Sequence, residues 1–162
     1  MALPSSVTSS LIGANFNTTG STALFALRTV ADGTEGTKWM YVHSNTAHTT
    51  GQIVGINSVG TAVNASTLSA TSGTLDFGFV GSVAWTAGDY GWVCTKGLAY
   101  VQCSGTTVPN TQLYIAGSPG ALSTTAGSGT MLGIELVASA STASLVVTTA
   151  ILTWPRSVPG LG

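Results

Sequence analysis

The only imidazoles in the chain are His43 and His48, spaced His-x4-His around the polar run Ser44 to Gly51. Such a pair ligates a metal when a carboxylate completes the set. The nearest acids, Asp32 and Glu35, would have to fold back to reach it, so solvated loop histidines are the expectation and no metal ligand is assigned. Serine, histidine and aspartate are all present, but no Gly-x-Ser-x-Gly elbow raises a serine into position as a nucleophile. Paired carboxylates of the glycosidase kind would have to come from five acids, of which Asp32 and Glu35 sit in a turn and Asp89 precedes a strand. The glycines of Gly127-Ser128-Gly129-Thr130-Met131-Leu132-Gly133 follow the wrong spacing for a phosphate loop and read as a turn before a strand. No catalytic residue, cofactor or cofactor-binding residue is expected.

The two cysteines bear on redox chemistry. If Lys96-Gly97 is the two-residue turn of a hairpin running from Tyr90 to Ser104, then Cys94 faces Ala99 and Cys103 faces Tyr90. Cys94 and Cys103 then share a face but stand roughly 13 Å apart at about 3.3 Å per residue, and a disulfide tolerates about 7 Å between α carbons. Free thiols are expected. Trp92 and Val101 on the same face make both cysteines small core hydrophobes, in keeping with synthesis in a reducing cytoplasm.

Composition narrows the classes further. Of 162 residues only nine are charged, a fraction of 6% with a formal net charge of -1, where about 25% is usual in soluble domains. Phosphate neutralisation needs clustered Lys or Arg, so a direct nucleic-acid partner is excluded. Ser and Thr supply 45 residues and Gly another 21, so hydroxyls and bare backbone must cover much of the surface. The longest suspicious stretch, Leu136 to Trp154, lacks charge but carries seven Ser or Thr, unlike the about 20 predominantly apolar residues of a spanning helix. No membrane partner is expected. The first residues, Met1 to Gly13, hold no Lys or Arg and no unbroken apolar run, so they do not read as a secretory signal.

The elements that would position these groups are strands. Thr74 to Ser82 sets Leu75, Phe77 and Phe79 on one face and Asp76, Gly78 and Val80 on the other. Thr142 to Trp154 alternates Leu145, Val147 and Ile151 against Val146, Ala150 and Leu152, and the prolines that follow end the sheet at Trp154. Further strands are expected at Thr22 to Val30, Lys38 to Val42, Gln52 to Asn57, Tyr90 to Thr95, Leu98 to Ser104, Gln112 to Ala116 and Met131 to Val137. Only Thr61 to Ala70 could form a short helix. This spacing predicts an all-β protein, an antiparallel β-sandwich or barrel of about eight to ten short strands. Residues 1–20 read as an extended N-terminal arm, 21–155 as a single β domain and 156–162 as a C-terminal tail. Within the arm Leu11, Ile12 and Phe16 are the sizeable apolar groups and the candidate partner-binding residues. The four tryptophans, Trp39, Trp85, Trp92 and Trp154, sit beside apolar strand residues and are expected to be mostly buried, which argues against an exposed sugar-binding platform.

The passage Ala87-Gly88-Asp89-Tyr90-Gly91-Trp92-Val93, then Gly97-Leu98-Ala99-Tyr100-Val101, then Gly117-Ser118-Pro119-Gly120-Ala121-Leu122, Gly129 to Glu135 and the closing hydrophobic strand resembles the small decoration, or cement, proteins of tailed bacteriophages. The likeness covers roughly residues 83 to 155. It implies a non-enzymatic virion structural protein on the outer surface of a phage head, bound to the major capsid protein and often a trimer. A tail or spike subunit is the runner-up, and a carbohydrate-binding module a more distant one. The near-neutral, charge-poor composition independently favours a protein that buries its surface against a partner.

Overall fold

The computed structural model describes residues 19–65, 76–116, 120–125, 129–140 and 145–158. Among these residues the fold is all-β: β1 (Val30–Asp32), β2 (Lys38–Ser44), β3 (Ile53–Ile56), β4 (Thr61–Asn64), β5 (Asp76–Val80), β6 (Tyr90–Cys103), β7 (Leu113–Ile115), β8 (Leu122–Ser123), β9 (Thr130–Leu136) and β10 (Val146–Val158), with one 3-10 turn at Thr34–Gly36. The strands form one sheet in the order β1-β2-β4-β3-β5-β6-β10-β9-β7-β8, and β6 pairs in addition with β2 and β8. Those two pairings close the sheet twice, giving two five-stranded rings that share β6. The sheet is mixed rather than purely antiparallel, because β2–β4 and β6–β8 pair in parallel.

β6 is a single strand, and the hairpin expected at Lys96-Gly97 does not form. The N-terminal half of β6 pairs with β2 and β5, while from Lys96 to Cys103 it pairs with β10. The register against β2 slips by one residue, from Lys38↔Lys96 to Trp39↔Cys94. The extra residue, Thr95, is fully buried and its hydroxyl donates to the Lys38 carbonyl at 3.2 Å. Gly97 has φ +89°, and a Cβ there would lie 2.8 Å from Thr37 Cγ2 and 2.9 Å from Thr37 Cα, so only glycine fits. The bulge also resets the strand's alternation. Cys94 before it and Ala99, Val101 and Cys103 after it face the same core, although a regular strand would put Cys94 opposite the other three.

β3 and β5 form the wall between two cores and are buried on both faces. Val54, Ile56 and Val80 turn to a core shared with Met40, Val42, Ala62, Trp85 and Val93. Ile53, Phe77 and Phe79 turn to a larger core with Cys94, Val101, Leu113, Leu122, Met131, Leu136 and Leu152. The alternation read in Thr74 to Ser82 is therefore real from Phe77 to Val80, where neither side of it meets water. Gly78 lies against Val93, whose Cγ2 a Cβ would approach to 2.6 Å.

Of the strand expected at Thr22 to Val30 only Val30 pairs, as the start of β1, and the rest is an irregular strap across β2 and β6. Its backbone is tied at Gly20↔Tyr90 and by Arg28 N to Tyr41 O and Tyr41 N to Thr29 O, both at 2.8 Å. Phe25 packs on Tyr41 and Trp92 with ring centroids 5.2 and 5.3 Å away. Arg28 pairs with Asp76 and donates to the Asn57 carbonyl, and its φ of +66° breaks any ladder at this point. At Thr61 the expected helix is replaced by β4, and residues 66–70 lie outside the described residues. Nor does the sheet stop at Trp154. β10 continues to Val158, and between Leu152↔Ile134 and Arg156↔Leu132 it bulges through Trp154 (φ +57°) and Pro155. A proline sits without loss where no ladder donor is required.

Candidate functional site

The residues with chemical potential do not converge. His43 lies on β2 rather than in a loop, half-buried with its ring 4.5 Å from that of Tyr90. His48 is not solvated either: it is 1% exposed and edge-on to Trp85, with which it exchanges backbone hydrogen bonds at 3.1 and 2.8 Å. Burial lowers its proton affinity, and the nearby Asn64 side chain and Ala62 backbone offset this only in part. Among the described residues no three His, Cys, Asp or Glu side chains gather closely enough to hold a metal.

Three of the five acids serve the scaffold. Asp32 pairs with Lys38 and Asp76 with Arg28. Asp89 accepts from the Thr86 amide at 2.7 Å and its hydroxyl at 2.8 Å, fixing the turn before β6. Both cysteines are free and buried, lying nine residues apart on one strand, which is the reason no disulfide can form. Burial pushes the Cys94 thiol up to about 12, partly offset by its hydrogen bond to the Lys96 carbonyl. Burial likewise raises Cys103. Thiols held protonated in this way are poor nucleophiles. Part of the glycine-rich run, residues 126–128, lies outside the described residues, and the part that follows is β9.

Trp85 and Trp92 are core residues at 4% exposure, Trp39 is half-buried, and Trp154 on the β10 bulge is exposed against expectation. No row of exposed tryptophans forms. An apolar cavity of about 310 Å³ opens where β5 parts from β6, lined by Trp39, Phe79, Cys94, Leu98, Ala99 and Tyr100. Ser82 and Thr149 complete a lining that holds no Asp, Glu, His, Lys or Arg, so the cavity suits an apolar side chain.

Next to this cavity the molecule has its most distinctive surface. Leu98 and Tyr100 on β6 point outward, as do Leu145 just before β10, Val147 and Ile151 on β10, and Val137 just after β9. Register assembles them in rows: Ile151 stands between Leu98 and Glu135, and Thr149 between Tyr100 and Val137, whose amide it receives at 2.9 Å. The apolar alternation of β10 was legible in the sequence. Its direction was not, because the set on the core side includes the small Ala150, paired with Ala99, while Ile151 faces out. Leu11, Ile12 and Phe16, the partner-binding candidates, lie outside the described residues. No protein family matches the sequence, and no curated protein matches it.

Proposed function

We propose that the chain is a non-enzymatic virion structural protein, a decoration or cement protein that binds the major capsid protein on the outer surface of a phage head and self-associates there. The observation that carries this reading is the exposed β6–β10–β9 face, a half-exposed apolar surface bordered by hydroxyls on a chain with nine charges. Monomeric proteins seldom leave an apolar patch of more than a few hundred Å² in water. The structural engagement of Asp32, Asp76 and Asp89 and the burial of both thiols support the non-enzymatic half of the reading, and the resemblance of residues 83 to 155 to phage decoration proteins supplies the partner. The arm residues Leu11, Ile12 and Phe16 are proposed as apolar anchors on the neighbouring capsid surface, where truncating a buried anchor typically costs about 2 kcal/mol or more.

The test is co-sedimentation with heads assembled from the major capsid protein encoded in the same genome, using the full chain and a chain lacking residues 1–18. The full chain is expected to pellet at a fixed ratio to capsid. The truncated chain, which keeps the Gly20–Tyr90 tie, should melt at the same temperature and stay in the supernatant. A full chain that stays in solution overturns the capsid reading, and a truncated chain that still pellets overturns the role of the arm.

A further inference from the structure

Four of the nine charged residues are consumed in two ion pairs, Arg28–Asp76 and Lys38–Asp32, and Asp89 fixes a turn. Of the other four, Lys96 and Glu135 border the β6–β10–β9 face on its two flanking strands, and neither has an ion-pair partner among the described residues. Lys96 stands across from Thr153 on the β6 side, and Glu135 across from Ile151 on the β9 side. Opposite charges thus sit on opposite flanks of one apolar strip.

We propose that this face is the contact between two copies of the chain, packed sheet on sheet about a two-fold axis that runs along β10. The inference rests on the reading of the protein as self-associating and does not need the capsid. Such an axis lays β6 of one copy over β9 of the other, and so brings Lys96 towards the partner's Glu135, twice by symmetry. Thr153 and Ile151 are two positions apart along β10, about 7 Å, and facing sheets pack about 10 Å apart, a separation that a lysine and a glutamate side chain bridge together. A polar pair at each flank fixes register, while the strip between supplies the affinity.

Area agrees with this assignment. Exposures run from 42% at Val147 to 53% at Val137, so the six apolar side chains offer on the order of 500 Å², and the hydroxyl and charged rim brings the face near the about 800 Å² per partner of a standard interface. Ile151 lies in the central row, flanked by Leu98 on β6, so it is the side chain such a contact must bury most completely.

Sedimentation velocity and native mass spectrometry at micromolar concentration test the proposal on the full chain. The wild type is expected to be a dimer. Ile151→Lys should be monomeric with an unchanged circular dichroism spectrum. Lys96→Glu and Glu135→Lys alone should each weaken the dimer about tenfold or more, and the double swap K96E/E135K should return the dissociation constant to within about threefold of wild type, because it restores both pairs with signs exchanged. Rescue by the swap is a readout that loss of folding cannot imitate. A wild-type monomer, a dimer indifferent to Ile151→Lys, or single variants that the swap does not rescue would overturn the contact. A trimer, which the phage resemblance implies, would overturn the two-fold axis. A dimer that never binds heads leaves this contact standing and removes the capsid reading alone.

Discussion

Replacing Gly97 by alanine should cost far more than its position on a continuous, half-exposed strand suggests. Two terms add at this site. At φ +89° an L residue occupies the left-handed region, at a cost of about 1–2 kcal/mol. The new Cβ would also lie 2.9 Å from Thr37 Cα, a backbone atom that cannot rotate away, and 2.8 Å from Thr37 Cγ2. Relieving that overlap means moving β2 relative to β6 at the one point where both rings meet, and overpacking of this kind typically costs a further 1–3 kcal/mol, roughly. The expected total, about 2–5 kcal/mol, is a large part of the stability of an ordinary domain. Gly88 supplies the control, because its φ is +91° and nothing lies within 4 Å of its Cβ position. Gly88→Ala should therefore show the conformational term alone, about 1–2 kcal/mol. Urea unfolding followed by tryptophan fluorescence measures both variants. If Gly97→Ala costs no more than Gly88→Ala, the close approach to Thr37 does not constrain the shared strand and the account of the bulge fails.

Three further outcomes are expected. Because burial lowers the pKa of His48, the folded state binds its proton less well than the unfolded chain. Its contribution is thus complete above the unfolded value of about 6.5 and is lost as pH falls from there towards the lowered folded value, at up to about 1.4 kcal/mol per pH unit. Urea midpoints at pH 7.5 and pH 5 should differ accordingly, and the difference should shrink in His48→Gln; a wild-type midpoint constant over that range contradicts the burial argument. Cys94 and Cys103, buried and with raised pKa values, should resist a disulfide reagent at pH 8 in the native protein and react fully in 6 M guanidinium, whereas labelling within seconds in the native state would place at least one thiol in contact with water. Occupancy on purified heads should survive a rise in sodium chloride from about 0.05 to 1 M, although the Debye length falls from over 10 Å to about 3 Å, and should be lost on heating or in denaturant; release by salt alone would show that charge, not apolar and hydroxyl contact, holds the protein in place.

The parts of this fold that were legible in the sequence are those written in local alternation. Phe77 and Phe79 against Gly78 and Val80 identify β5, and windows for β2, β3, β7 and β9 fall where runs of Val, Ile, Leu and aromatic residues are bounded by glycine-rich turns. Lys96-Gly97 was misleading for a physical reason. A glycine with positive φ serves a hairpin turn and a bulge equally well, and the choice between them depends on Lys38 and Thr153, the distant partners on either side of Lys96. β4 and β8 pair in parallel through only two positions and one position with the strands that close the rings, so almost nothing local marks them. Histidine burial was equally nonlocal, since Trp85 reaches His48 from a segment 37 residues further along.

Ring closure also bears on how such a protein can associate. An open sheet offers its edge strands to any extended chain, and proteins restrain this with short edges, charges or coverage. Here β2 and β8 both return to β6, and the terminal strand β1 is three residues long, with the Lys38–Asp32 pair at its end. Edge-to-edge pairing therefore has little to offer between copies. What the described surface does leave available is a face, and a face is specific where an edge is not: backbone pairing accepts many registers, whereas Leu98, Tyr100, Val137, Val147 and Ile151 must meet a surface of matching relief with Lys96 and Glu135 in place. A protein with so few charges has to avoid adhering to everything while holding firmly to a few neighbours. Closing the rings removes the indiscriminate contact, and an apolar strip with opposite charges on its two flanks retains the selective one.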